Sequence, residues 1–518
     1  MSKTLSSTAK APVIWAIGGS DSRAGAGVQA DLLTANDLGV ACCTIITAVT
    51  AQNTKRVSGV YAVSANELIA QLDTLAEDSL PCCIKIGLIA TQAQVQALAQ
   101  WLIQHRLRQH RLRQHRLPQY SLPLIIDPVQ IASNHDSLTC DPVDLSPLLP
   151  LCTLITPNSG ELESLGGLAA LAQHAVNAIL LTGEEHNGTH LLDQFYDVKN
   201  DRNLIWHHPK ISSLNTHGTG CTLAAAIAAG LALNFPLEDA ITQAIAYVRS
   251  GLRPTAIAHQ NGAVAHHGWP HDGDDWPTGK IVGAQSRSTI EQASPIDFLP
   301  MTNSLGFYPV VDSVTLLEQL MRLGVRTLQL RLKDIANLQQ LRTEIHFAIQ
   351  LAKHYNAQLF INDHWQIACE LGAYGVHLGQ GDICTAALPE IARANLRLGI
   401  STHGFFELSI ARGYRPSYVA LGHVFPTTTK KMPSQPQGLK RLAQTAQLTA
   451  HTPTVAIGGI DLSNAAKVLA CGVNSVAVVR AVTQSQNLAF TVQQFLSIFD
   501  RMNVDANIDR ERLHAAVS

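Results

Sequence analysis

The chain has 518 residues, 46% of them hydrophobic and 15% charged, which suits two to four domains with large cores and excludes the disordered and collagen-like classes. Lys and Arg total 37 against 39 Asp and Glu, so the formal charge is −2 and no chain-wide field holds it to nucleic acid or an anionic membrane. The ten cysteines include adjacent pairs at Cys42-Cys43 and Cys82-Cys83 but no C-x-x-C or metal-ligand spacing, as expected of buried thiols in a reducing cytosol.

The first apolar run, Ala11 to Gly19, is too short for a signal-peptide core with its flanks and leads directly into Ser20-Asp21. Strand-like segments at 12–17, 44–50, 122–126, 152–156 and 178–182 alternate with helix-like ones at 26–38 and 66–76, and an Ala-rich helix starts at 221. This predicts an α/β domain: an open, mostly parallel sheet with helices on both faces and ligands beyond the strand ends. A five-residue repeat, HRLRQ-HRLRQ-HRLPQ at 105–119, carries five arginines and no acid. It reads as a solvated helix extension, the alternative being a nucleic-acid-binding arm. The longest apolar segment, Leu223 to Leu237, contains Asn234 and Pro236 and falls short of the about 20 residues of a membrane span.

No G-x-x-x-x-G-K-[ST] occurs, which excludes the P-loop route to phosphate. Gly25-Ala26-Gly27-Val28-Gln29-Ala30 stands where a dinucleotide fingerprint would, but Thr44–Thr50 runs into Ala51-Gln52-Asn53 without a ribose-binding acid. The sharpest signal is Asn215–Thr222 (NTHGTGCT), directly before the Ala-rich helix. Gly218 and Gly220, with Thr219 between them, allow a tight turn that leaves helix N-terminal N–H groups free to surround an anion. Cys221 at the helix start would have its thiolate favoured by the dipole, and so take a proton from a substrate hydroxyl or position it. A plain helix cap with a small buried cysteine would use the same residues.

Over 12–270 the chain resembles the hydroxymethylpyrimidine/phosphomethylpyrimidine kinase family, which is ribokinase-like. The matching stretches are Ala16–Ala30, Ile46–Thr54, Lys85–Leu88, Ile126–Val129, Thr156–Glu161 and Asn215–Thr222. The resemblance implies that ATP, as co-substrate, phosphorylates the hydroxymethyl group of an aminopyrimidine and then the resulting phosphate. It carries over Gln52 as a ring-reading amide, which offers both donor and acceptor, and Asp31 as a residue near the reacting group. Gly218–Cys221 become the anion hole around the transferred phosphoryl, and Asn158 and Glu161 the region around Mg-ATP. The family's Lys-Gly-Gly-His near the nucleotide phosphates reads Thr182-Gly183-Glu184-Glu185 here, its Pro-Ser-Gly-Gly loop reads Ser22-Arg23-Ala24-Gly25, and Gln130 follows Val129 in place of Met. These departures leave open a kinase-like domain that is inactive or acts only on the monophosphate.

Residues 271–295 mix Gly, Pro, Ser and charge without periodicity, as a linker does. They divide a first domain at 1–270 from a second at 296–505, with a tail at 506–518. In the second, eight apolar, β-branched runs alternate with amphipathic stretches: Phe307–Val311, Thr327–Leu332, Leu359–Ile361, Gly375–Leu378, Leu396–Ile400, Tyr418–Leu421, Thr454–Ile457 and Ser475–Val479. Eight such units in about 200 residues predict a (βα)₈ TIM barrel, whose chemistry sits at the C-terminal strand ends. Asp363 and Asp382 follow the third and fourth runs and suit one Mg²⁺, while Arg331 and Lys333 share a strand face beside them, an arrangement for a diphosphate. Gly458-Gly459 and Val479-Arg480 fall where barrels hold a second phosphate.

These residues resemble thiamine-phosphate synthase over about 306–500. The resemblance implies that Gln329, Leu330, Arg331, Leu332, Lys333, Asn362, Ser401 and Lys430 hold a pyrimidine diphosphate and that Asp363 and Asp382 bind Mg²⁺. Thr427, Thr428, Thr429, Gly459, Val479 and Arg480 would hold a thiazole phosphate, with Arg480 where a serine is usual. The two halves together imply a cytoplasmic bifunctional enzyme of thiamine biosynthesis whose partners are small molecules, with no nucleic acid and no membrane; a homo-oligomer is allowed for.

Overall fold

The structure is a computed structural model that describes residues 11–53, 56–112, 122–130, 138–139, 142–253, 262–282, 296–333, 335–427, 434–449 and 451–501, without side chains at 106–112. It divides into two compact units, Met1–Thr289 and Ile290–Ser518.

The first unit is a ten-stranded sheet with strands β1 (Val13–Asp21), β2 (Ala41–Gln52), β3 (Val57–Ala62), β4 (Cys83–Ile86), β5 (Leu124–Ile126), β6 (Leu154–Ile155), β7 (Ala178–His186), β8 (His190–Asp197), β9 (Arg202–Pro209) and β10 (Thr278–Val282). Their spatial order is β10-β9-β8-β7-β6-β5-β4-β1-β2-β3. The central strands from β2 to β7 run parallel, and β3 and β8–β10 add antiparallel edges. The strand order reverses between β1 and β4, which opens a crevice at their carboxyl ends.

Trp15, Ile17, Ile84, Ile126 and Ile155 supply apolar side chains from the parallel strands to one core cluster. The helix Thr219–Ala232 is buried along most of its length because alanines let neighbouring segments approach. At Gly230 an added Cβ would come within 2.8 Å of Ala240 Cβ on the helix Leu237–Leu252, so glycine sets the separation of the pair. No described helix is long and apolar enough to cross a membrane.

The expected linker is corrected over its first half. Residues 278–282 form β10 against β9, Asp272 caps a short helical turn, and Trp276 is buried. Arg249 donates from Nε to the Asp275 carbonyl at 2.8 Å, which ties this segment to the first unit. The remainder, 283–295, and the expected tail lie outside the described residues. The repeat begins on the helix Gln92–Leu112, where His105 stacks on Trp101, and its later residues are likewise not described.

The second unit is a closed parallel barrel of β11 (Gly306–Val311), β12 (Thr327–Leu330), β13 (Gln358–Asn362), β14 (Gly375–Leu378), β15 (Arg397–Thr402), β16 (Tyr418–Leu421), β17 (Thr454–Ile457) and β18 (Ser475–Val478). Its interior is filled rather than hollow. Tyr308, Phe360 and Tyr418 meet there with ring centroids 5.0–6.0 Å apart. Glycines on the neighbouring strands make the room: a Cβ at Gly375 would lie 2.6 Å from the Phe360 ring, and one at Gly399 2.2 Å from the Tyr418 ring. Beyond the aromatic plug a cavity opens toward the carboxyl ends of the strands.

Candidate active sites

In the first unit a cavity of about 640 Å³ lies beyond the parallel strands. Asp21 ends β1 and organises the loop after it, accepting from the backbone N–H groups of Arg23 (2.9 Å), Gly25 (3.0 Å) and Ala26 (2.9 Å), with His217 Nε2 at 3.2 Å. Burial alone would raise its pKa, but hydrogen bonds from His217, Arg23, Gln52 and Ala26 bring it down to about 2. Gln52, at the end of β2, therefore has its side chain against Asp21 at the cavity wall.

The cationic centre is Lys85 on β4, 1% exposed and 2.9 Å from Asp31 and 3.7 Å from Asp127. Burial opposes its charge, but Asp31, Cys221 and Asp127 outweigh that and hold the lysine above its ordinary pKa. Lys85 and Asp127 line the cavity; Asp31 does not. The expectation that Asp31 stands at the reacting group is thus corrected: it is fully buried behind Lys85 and fixes the ammonium. Sequence reasoning gave Lys85, Asp127 and Asp21 no role. The available signal was a lysine and an aspartate embedded in apolar strand sequence, CIKI and IIDPV, where an unpaired charge is prohibitive.

Gly218, Thr219, Gly220 and Cys221 all reach the cavity wall. Gly218 caps the helix Thr219–Ala232 with φ near 81°, and a Cβ there would meet the Gly25 carbonyl at 2.0 Å. The first-turn amides, which a helix cannot satisfy internally, stand at this wall. Cys221 corrects the thiolate expectation. Burial pushes its thiol up to about 12 despite the pull of Lys85, so it keeps its proton and faces Asp127.

Asn158 and Glu161 also line the cavity, and they cap one another: Glu161 N–H donates to Asn158 Oδ1, and Asn158 N–H to Glu161 Oε2, both at 2.9 Å. Burial and then Asp127 push Glu161 up to about 7. Of the altered Thr182–Glu185 stretch, Thr182 and Gly183 line the cavity, whereas Glu184 bonds Ser159 and Glu185 bonds Lys210.

In the second unit a cavity of about 980 Å³ opens at the carboxyl ends of the barrel strands. It brings together Gln329, Arg331, Lys333, Asn362, Asp363, Asp382, Ser401, Thr427, Gly459, Val479 and Arg480 from the expected set. Leu330 and Leu332 are corrected: they are buried and face away, as strand alternation about Arg331 requires. Thr428, Thr429 and Lys430 lie outside the described residues.

Asp363 follows β13 with φ near 64°, a left-handed conformation that Asp tolerates better than most residues, and Lys333 Nζ lies 3.6 Å from its carboxylate. Asp382 sits not at a strand end but in the one-turn helix Gln380–Ile383 after β14. Burial and then the neighbouring Asp382 hold the Asp363 carboxyl above its usual range. Two oxygen donors pressed together against their mutual repulsion are what a hard divalent cation relieves, so this pair fits Mg²⁺. Among the described residues no set of three or more His, Cys, Asp or Glu is arranged around one metal position, and further ligands would be phosphate oxygens and water.

On the opposite wall, Gly458 and Gly459 adopt φ near 106° and 66°, and a Cβ on either would strike the 423–426 segment. Three histidines that sequence reasoning left unassigned also line this cavity. His377 has both ring nitrogens engaged, His403 holds Glu407 through Nδ1 at 2.7 Å, and His423 is kept below its ordinary pKa by burial and by His403.

Comparison with known proteins bears on both units. Residues 21–266 match the family model for phosphomethylpyrimidine kinase, and residues 307–482 that for thiamine monophosphate synthase. Thiamine-phosphate synthase of Klebsiella pneumoniae subsp. pneumoniae is 54% identical over 202 residues, 39% of this chain and 95% of that protein; the Escherichia coli strain SE11 protein of the same description is 52% identical over the same shares. Among solved structures, phosphomethylpyrimidine kinase from Clostridium difficile 630 is 28% identical, covering 47% of this chain and 100% of its own, with a TM-score of 0.38. Thiamine phosphate pyrophosphorylase from Pyrococcus furiosus is 28% identical, covering 38% and 96%, with a TM-score of 0.35. Through its barrel the chain belongs to the thiamine-phosphate synthase family, and with a phosphomethylpyrimidine kinase domain ahead of that barrel it is a bifunctional enzyme of thiamine biosynthesis.

Proposed function

We propose that the first unit uses ATP to phosphorylate hydroxymethylpyrimidine and its monophosphate, and that the barrel joins the resulting pyrimidine diphosphate to thiazole phosphate with release of pyrophosphate. The observation that carries this reading is the convergence of Arg331, Lys333, Asp363 and Asp382 in one cavity whose far wall is the Gly458-Gly459 turn. It offers cations and a metal pair for a diphosphate, with backbone for a second phosphate across from them.

In the first unit, amide hydrogens of Gly218–Cys221 and the Lys85 ammonium would stabilise negative charge that builds on the transferred phosphoryl oxygens. The proton of the attacking hydroxyl goes to a carboxylate: Asp127 lines the cavity, and burial raises its pKa against the opposing pull of Lys85 and Cys221. Cys221, as a neutral thiol, positions that carboxylate. Asn158 and Glu161 would border the nucleotide. Lys85 supplies a fixed cation to the same cavity, and the acids of the altered stretch are turned to Ser159 and Lys210, which favours a working kinase over an inactive one.

In the barrel, the bond from the pyrimidine methylene to oxygen breaks with its electron pair leaving on pyrophosphate, and the thiazole nitrogen lone pair forms the new carbon–nitrogen bond. Arg331 and Lys333 hold the departing charge, and Gln329, Asn362 and Ser401 orient the pyrimidine. Gly459, Val479 and Arg480 hold the thiazole phosphate. Mg²⁺ on Asp363 and Asp382 would supply Lewis-acid stabilisation of the leaving oxygens. The protein contributes alignment and charge rather than a nucleophile.

The test supplies pyrimidine diphosphate and thiazole phosphate with Mg²⁺ and follows thiamine phosphate by mass. Asp363→Asn and Asp382→Asn should each abolish Mg-dependent product while circular dichroism shows the fold intact. Full activity in either variant overturns the metal assignment.

A further inference from the structure

A line of side-chain hydrogen bonds crosses the barrel interior beneath the synthase cavity. Gln329 Nε2 donates to Tyr308 Oη at 3.2 Å, and Tyr308 and Tyr418 share a hydroxyl–hydroxyl bond of 2.8 Å. Tyr418 Oη lies 2.7 Å from His377 Nδ1, and His377 Nε2 lies 2.7 Å from Ser401 Oγ. The five side chains come from β12, β11, β16, β14 and β15, so the line links strands on opposite sides of the barrel. Gln329 is 5%, His377 6%, Tyr308 1% and Tyr418 0% exposed. Burial holds both phenols above their ordinary pKa, so each is a neutral hydroxyl with one hydrogen to give.

Hydrogen counting along this line leaves little freedom. With the Gln329 amide hydrogen on Tyr308, the Tyr308 hydrogen must go to Tyr418, and that of Tyr418 to His377 Nδ1. His377 is then neutral with its hydrogen on Nε2, directed at Ser401 Oγ. The hydroxyl hydrogen of Ser401 is left over for the cavity, and so is the Gln329 carbonyl oxygen. In the reverse order the Gln329 carbonyl faces Tyr308 and every hydrogen points the other way. Of the mixed orders, one strands a buried phenol hydrogen, and the other, with Tyr308 donating to Gln329 and Tyr418 to His377, sets two oxygen lone pairs against each other across the 2.8 Å Tyr308–Tyr418 contact.

We propose that Tyr308, Tyr418 and His377 form a one-way relay that fixes Ser401 as a hydrogen donor and Gln329 as a hydrogen acceptor toward the same ligand. The ligand chemistry this selects is a heterocycle that carries an exocyclic amino group beside an unprotonated ring nitrogen, the edge of an aminopyrimidine. Tyr308 and Tyr418 lie below the cavity wall and His377 reaches it; all three act on the ligand through Gln329 and Ser401 and are positioning residues. The inference rests on the synthase reading for the identity of the ligand, but the hydrogen order is a property of the protein itself.

Two measurements on the full chain test it. Nitrogen-15 spectra of histidine-labelled protein, with His377→Gln identifying the signal by difference, should show His377 neutral, unprotonated at Nδ1 and protonated at Nε2. A hydrogen on Nδ1, or a charged ring at neutral pH, overturns the relay. In steady-state assays Tyr418→Phe should raise KM for the pyrimidine diphosphate about five-fold or more while KM for thiazole phosphate stays within about two-fold. His377→Gln can still accept from Tyr418 and donate to Ser401 and should stay near wild type, whereas His377→Leu should behave as Tyr418→Phe. An unchanged pyrimidine KM in both Tyr418→Phe and His377→Leu overturns the proposal. Should these variants fail to fold, the wild-type spectrum decides alone. Failure of the wild type to make thiamine phosphate from both precursors would retire the synthase reading and leave the spectroscopic test standing.

Discussion

Asp21 shows how a carboxylate at a strand end becomes a structural anchor and a site residue together. It gathers backbone N–H groups from the 23–26 loop and a contact from His217, 196 residues away in sequence. Its pKa in the folded protein, about 2, lies below the unfolded value near 3.8. A depressed carboxylate pKa stabilises the fold above the unfolded value, and that stabilisation is lost as pH falls from about 4 toward 2. The contribution at neutral pH is on the order of 2 kcal/mol. Asp21→Asn should therefore be less stable than the parent in urea at pH 6 by roughly that amount, and the gap should shrink at pH 3. A gap of equal size at both pH values would mean that charge plays no part. Such roles are poorly legible in sequence, because they depend on which buried partner a charge turns toward. The family resemblance makes Asp31 a residue near the reacting group, yet its partner is Lys85, 54 positions away and buried with it.

At the level of elements, the barrel was readable nearly to the residue. The runs at Gly375–Leu378, Tyr418–Leu421 and Thr454–Ile457 coincide with β14, β16 and β17, because strands buried on both faces are short, apolar and bounded by turn residues. The first unit was less legible. β4 is four residues with a lysine inside it, and β8 and β9 carry Asp, His and Arg on an antiparallel edge, so hydrophobic periodicity underreports them. The 215–222 motif was legible as a turn feeding a helix, but its second half lies in the 21–27 loop. Gly218 packs on Gly25 so closely that a methyl group would overlap the Gly25 carbonyl, and its positive φ adds strain for any L side chain. Gly218→Ala should therefore push the two loops apart and lower phosphorylation of hydroxymethylpyrimidine at least about ten-fold, since positioning losses of an ångström carry penalties of that order or larger. Coupled-enzyme measurement of ATP turnover checks this, and wild-type turnover would show that the contact between the loops is dispensable.

Each unit of the whole molecule carries its own apolar core and its own cavity. Among the described residues, those lining each cavity come from its own unit, so a lesion in one should leave the chemistry of the other intact. The proposed order of reactions makes this visible in a single vessel containing ATP, Mg²⁺, hydroxymethylpyrimidine and thiazole phosphate. The parent chain should yield thiamine phosphate. Gly218→Ala should yield little, and added pyrimidine diphosphate should restore it, because the barrel receives its substrate from outside. Asp363→Asn should instead accumulate pyrimidine diphosphate while ATP is still consumed, and no added intermediate should restore product. Mass-resolved analysis separates these patterns. Loss of ATP consumption in Asp363→Asn, or failure of added diphosphate to restore Gly218→Ala, would mean that the two chemistries depend on one another through the chain and not only through the metabolite they share.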